Sequence, residues 1–266
     1  MRAPGQGPRP LLLVAAIVGS FSVFAVPIGL AALRGYASER ALVVAASAAF
    51  VRTQGSSGGA TLASLVDVWR EFHLVKAALA MALVVVLAAL ASGLGRAARE
   101  AGPGPARQRA LGGYVGVLAW ALGALTVALA NLQGAIAPLS SVASLLPIGR
   151  LTGELPATLQ ALRSAVQVDP AHGGHGFAGA LLADFALYHW AFAGMAGAVG
   201  VLLMVQAVRA AMEPWRARRG HEPASPTRLW RVVIFGAAGA LFLLLAAANA
   251  STWLQPAPAL IASLGG

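Results

Sequence analysis

The chain has 266 residues, of which 58% are hydrophobic and 11% charged; its formal net charge is +10 and it has no cysteine. Soluble chains carry about 25% charged residues, so an apolar surplus of this size belongs in lipid rather than around one water-facing core. The lack of cysteine excludes disulfides, thiol redox chemistry, iron–sulfur clusters and covalently attached haem.

Leu11–Leu33 is the first of five apolar stretches near the length of about 20 residues that crosses a hydrocarbon core. Arg2 and Arg9 precede it, and Val23 and Ala25 stand at tolerable signal-peptidase positions. Because the apolar run continues through Pro27 to Leu33, it reads as a retained span; cleavage would leave four spans with the same orientation. The other stretches are Leu74–Leu94, Leu111–Ala130, Phe185–Val208 and Val232–Ala250. Lys76 is the one lysine, arginine, aspartate or glutamate inside any of them, two residues from the end of its span, where its stem can snorkel to the surface. Backbone polar groups find no partner in lipid, so all five should be helices. The fold class expected is an all-α integral membrane protein with five transmembrane helices.

Charge sets the orientation. The N-terminus and the second and fourth connections hold 12 basic residues, among them Arg96, Arg99, Arg107, Arg109, Arg216, Arg218 and Arg219, against the acids Glu100, Glu213 and Glu222. The opposite side holds seven basic against six acidic residues. The arginine-rich side reads as cytoplasm, the N-terminus as cytoplasmic and the C-terminus as exoplasmic. This placement accounts for the positive charge without nucleic acid. Lys76 is the single lysine among 19 basic residues, a bias that reads as a high-GC bacterial genome and hence a bacterial plasma membrane. Trp69, Phe72, Tyr188, Trp190 and Trp253 at the outer span ends, with Trp215 and Trp230 at the inner ones, are expected interface anchors.

An internal repeat is visible at a constant offset of 116 residues, where Ala41–His73 aligns without gaps on Ala157–His189. Gly58, Leu65, Phe72 and His73 face Gly174, Leu181, Tyr188 and His189. A second marker recurs at the outer exits: Ala137 opens APLSSVASL and Ala257 opens APALIASL, with Asn131 and Asn249 just upstream. Two parallel two-helix units follow, residues 11–110 and 111–228, with 229–266 as half of a third, related by a pseudo-twofold along the membrane normal. Leu62, Leu65, Val66, Trp69 and Phe72, like Leu155, Leu159, Leu162 and Val166, are spaced as the apolar faces of amphipathic exoplasmic helices.

Two constellations can carry chemistry. His73 and His189 open the second and fourth spans at one depth, and Asn131 and Asn249 close the third and fifth. Such a set can bind a polar ligand at the outer mouth, or its imidazoles can ligate b-type haem or a copper or zinc ion; the competing reading is a pair of interfacial anchors. Asp169, His172 and His175 in DPAHGGHG have donor spacing for a metal, in what otherwise reads as a flexible polar loop. Asp67, Arg70 and Glu71 read as local helix-surface pairs, and a catalytic carboxylate at Asp67 or Asp184 is the weaker alternative. Gly112/Gly116 and Gly194, Gly197, Gly200 permit close helix packing, within the monomer or against a second copy.

No span carries an acid or an arginine at mid-depth, which counts against proton-coupled transport. No P-loop, nucleophile elbow or H-E-x-x-H motif is present. The expected function is non-catalytic: an accessory or assembly subunit of a larger membrane complex, or a binder of lipid or a small molecule at the exoplasmic face. An enzyme or electron carrier using His73 and His189 is the alternative, and a transporter component the third.

Overall fold

The computed structural model describes residues 10–36, 38–53, 59–150, 152–171, 176–218 and 226–266. Among these, every regular element is helical: α1 (Pro10–Leu33), α2 (Glu39–Arg52), α3 (Gly59–Glu100), α4 (Pro105–Ile136), α5 (Pro138–Ala143), a 3-10 turn (Ile148–Arg150), α6 (Leu155–Val168), α7 (Phe177–Ala211), α8 (Glu213–Arg218), α9 (Arg228–Leu254) and α10 (Pro256–Ser263). Five helices are long and apolar enough to cross a membrane: α1, α3, α4, α7 continued through Trp215, and α9. The protein is therefore an all-helical, multi-pass membrane protein by length and composition.

The helices run further than the apolar stretches alone suggest. His73 does not open a helix; it lies inside α3, which is continuous over 42 residues, about 63 Å at 1.5 Å per residue. His189 likewise falls inside α7. The segment around Leu62–Phe72 is thus the first part of the same helix, with no proline or glycine to interrupt it between Gly59 and the span.

The chain forms two compact units, each drawn from three separated stretches. The first comprises described residues of 10–24, 77–129 and 195–246. Its contacts are made by small residues, as expected where lipid supplies no hydrophobic drive and packing decides. Ala16, Ala80, Leu83, Leu87, Ala124 and Ala128 form one buried cluster, and Gly19 lies against Leu83. α7 and α9 meet backbone to backbone at Gly200 and Gly239. A Cβ at Gly200 would fall 3.1 Å from the Gly239 carbonyl oxygen, and one at Gly239 would fall 3.1 Å from that of Gly200. Gly112 and Gly116, by contrast, face open space, and it is Gly113 that packs, on Leu94. At another point of this unit Arg231 pairs with Glu213, Arg228 Nε donates to the Ala210 carbonyl, and Tyr114 hydrogen-bonds Thr227.

The second unit comprises described residues of 25–76, 130–194 and 247–266. α1 ends here at Gly35, whose φ of 93° lets the Tyr36 N–H reach back to the Ala31 carbonyl. Ser38 caps α2 by accepting from the Ala41 N–H. α2, α5, α6 and α10 surround a core that includes Phe50, Leu65, Val142, Leu159, Val166 and Leu260. Leu155, Leu159, Leu162 and Val166 are all buried, on one face of α6.

Candidate functional site

The second unit holds a chain of polar side chains whose backbone supports can be traced one at a time. α5 begins with Pro138 at its first turn, and its N-cap position is Ala137, which has no side chain to accept from the free N–H groups. Asp184, on α7, supplies the missing acceptor: its Oδ2 takes the Ser140 N–H at 2.7 Å. That charge-assisted bond pins α5 and with it Ser141, which is 5% exposed.

Ser141 Oγ lies between two side chains of α3 that stand one turn apart. Trp69 Nε1 donates to it at 2.9 Å, and His73 Nε2 faces it at 2.9 Å. The other ring nitrogen, His73 Nδ1, meets Asn131 Oδ1 of α4 at 2.8 Å. The amide oxygen requires a proton on Nδ1, which leaves the Nε2 lone pair of neutral His73 to accept the Ser141 hydroxyl. One donor direction therefore runs through the whole series, Trp69 to Ser141 to His73 to Asn131. The imidazole is held in place by its surroundings. Trp69 packs edge-on at 4.8 Å between centroids and Phe72 at 5.6 Å. On α4, Gly134 lies so close that a Cβ there would fall 2.9 Å from the ring.

The same pairing occurs on α7 and α9. His189 Nδ1 meets Asn249 Oδ1 at 2.8 Å, with Phe185 edge-on at 4.6 Å and Tyr188 at 5.5 Å. Gln133 Nε2 donates to the Tyr188 carbonyl at 3.1 Å, tying α4 to the residue beside His189. The four residues expected to share a ligand site, His73, His189, Asn131 and Asn249, are thus brought together as two His–Asn pairs. Both ring nitrogens of His73 are engaged, so a haem iron, copper or zinc ion there would have to displace Ser141 or Asn131.

Of the other expected metal donors, His172 and His175 lie outside the described residues. Asp169 is the C-cap residue of α6, with its N–H on the Ala165 carbonyl. Among the described residues no group of three His, Cys, Asp or Glu side chains is placed to hold a metal. Glu71 pairs across to Arg34, just past the end of α1, at 3.0 Å rather than with Arg70, and both partners are well exposed. Lys76 Nζ stands 5.5 Å over the Phe72 ring.

The sequence reading passed over Ser141, Gln133, Gly134 and the capping role of Asp184. One signal for Ser141 was present: APLSSVASL carries paired hydroxyls where the matching APALIASL is apolar.

The first unit has a cleft of about 290 Å³ between α1, α3 and α4. Its lining includes Phe24, Ala80, Leu83, Trp120, Gly123 and Ala124. Its one hydroxyl, Ser20, is spent on the Ala16 carbonyl of its own helix. The cleft therefore offers dispersion and desolvation but no polar recognition.

Comparison with protein-family models, curated proteins and solved structures finds no match to this chain.

Proposed function

We propose that this is a lipid-binding protein of a bacterial plasma membrane that holds one hydrocarbon chain in the cleft between α1, α3 and α4. The observation that carries the reading is the cleft itself. It is apolar apart from the Ser20 hydroxyl, which is bonded within its own helix, of a volume near the lower end of ligand pockets, about 300 Å³, and built on helices with membrane-spanning length and composition. A hydrocarbon chain is the occupant whose chemistry matches such a lining, since every hydrogen-bonding ligand would bury an unpaired polar group there.

The arginine-rich connections support a cytoplasmic N-terminus and an exoplasmic C-terminus. A tandem repeat of two-helix units is supported by the matched surroundings of His73 and His189: the same ring nitrogen on an asparagine, an aromatic ring four residues before and another one residue before. In this reading the His–Asn pairs are interhelical fasteners of the repeat. The haem or metal carrier is less well supported, because His73 has no ring nitrogen to spare.

The test is lipid analysis of protein purified in a mild detergent, by native mass spectrometry and extraction. One lipid per chain should remain bound. Gly123→Leu should reduce its occupancy at least about tenfold, a loss of about 1.4 kcal/mol, without disturbing the fold, since a Cβ at Gly123 meets nothing within 4 Å. Unselective lipid carry-over that Gly123→Leu does not alter would defeat the reading.

A further inference from the structure

The His–Asn pair is present twice, but only one copy is extended by a hydroxyl. In Pro256–Ser263, which follows Asn249 as Pro138–Ala143 follows Asn131, the sole hydroxyl is Ser263, and it is committed to the Leu260 carbonyl. The link between helices needs only the imidazole–amide bond, which both copies have. Something further is built at His73.

We propose that Ser141 is a nucleophilic serine, with His73 as its general base and Asn131 as the positioning residue, suited to cleaving a carboxylic ester. Three independent features of geometry coincide with that chemistry. Nε2 rather than Nδ1 faces the hydroxyl, at 2.9 Å, within the range needed for proton transfer. Nδ1 is held at 2.8 Å by an acceptor that fixes the tautomer with its lone pair toward Ser141. The imidazole cannot swing away, because Trp69, Phe72 and Gly134 enclose it. An amide in the third position orients the ring without burying another ion beside it.

The reaction balances on these groups, a substrate ester and water. Ser141 Oγ forms a bond to the acyl carbon while its proton passes to His73 Nε2. The ester C–O bond then breaks, and His73 returns that proton to the departing alcohol. Water repeats the sequence on the acyl-serine: it loses a proton to His73, its oxygen bonds to the acyl carbon, and the Ser141 bond breaks with that proton restored to Oγ.

An alkyl fluorophosphonate tests this directly on the full chain in detergent, because an activated serine displaces fluoride and keeps the phosphonate on Oγ. The expected result is one adduct per chain, mapped by peptide mass spectrometry to Ser141. It should be absent in Ser141→Ala and unchanged in Ser144→Ala. His73→Gln should slow labelling about 100-fold or more, the usual contribution of a positioned base. Asn131→Asp, which keeps the acceptor, should still label, whereas Asn131→Leu should label slowly while showing the wild-type helical circular dichroism. No adduct on folded wild-type protein overturns the proposal, and so does labelling of Ser141 that His73→Gln leaves undiminished. Lipid retention measured on Ser141→Ala keeps this outcome separate from that of the cleft, since the variant should bind lipid as the wild type does.

Discussion

At Gly134 the absence of one methyl group decides whether the polar series can exist. A Cβ there would stand 2.9 Å from both Cδ2 and Nε2 of His73, so Gly134→Ala must push the ring off Ser141, Asn131 or both. Overpacking of this kind costs about 1–3 kcal/mol. The variant should therefore unfold several degrees below wild type when followed by circular dichroism in detergent. Gly116→Ala makes the instructive comparison: nothing lies within 4 Å of the added carbon. It should be neutral or stabilising by up to about 1 kcal/mol, since alanine removes helical entropy cost without a clash. Equal losses from the two variants would show that the His73 contact has no special weight. The sequence made His73, His189, Asn131 and Asn249 visible as a set, because each repeats within a recognisable frame. It could not say which histidine met which asparagine, since that depends on how helices cross. Ser141 was hidden for a different reason: a serine in an Ala/Leu-rich stretch looks like any other small residue until its rotamer and neighbours are known.

Among the elements, the crossing of α7 and α9 rests on two glycines that face one another. Putting a β-branched side chain at either position forces carbonyl and side-chain atoms apart by a sizeable fraction of an ångström, since Met204, Leu243 and the opposing backbone already sit at 2.8–3.1 Å from the built Cβ positions. Gly200→Val or Gly239→Val should cost about 1–3 kcal/mol by overpacking. A cross-link between α7 and α9, read as the rate of disulfide formation in a pair of introduced cysteines, should slow in either variant; an unaltered rate would mean that the contact is dispensable. The glycine run through Gly194, Gly197 and Gly200 was legible as a packing face, but only part of it is used: Gly200 carries the contact and Gly194 meets nothing. Gly112 and Gly116, four residues apart, also read as a packing face in the sequence and meet nothing within 4 Å, so spacing suggests a face without naming its partner. Helix limits were the least legible feature. Hydropathy marks where a helix leaves apolar surroundings, whereas α3 continues through both kinds of composition because its backbone bonds continue.

For the molecule as a whole, five long apolar helices were readable from composition and run length, because lipid leaves the backbone no other choice. The orientation rests on arginine placement and has a direct check. A reporter active only outside the cytoplasm should be active when fused after Gly266 and silent when fused in the connection following Glu100; the reverse pattern would invert the assignment. The cleft between α1, α3 and α4 was not readable, since a void is a property of three helices together and leaves no mark on any one of them.

The core that contains Phe50 and Leu159 also takes in Leu260 and Leu264, so residues from widely separated parts of the chain complete it together. A ribosome delivers α2 and α6 long before α10. Until α10 arrives, the apolar side chains that pack on it lack part of their native cover, and a chain stalled after Leu254 would leave them exposed. Burial of this core is thus a late step of synthesis rather than one that accumulates evenly along the chain.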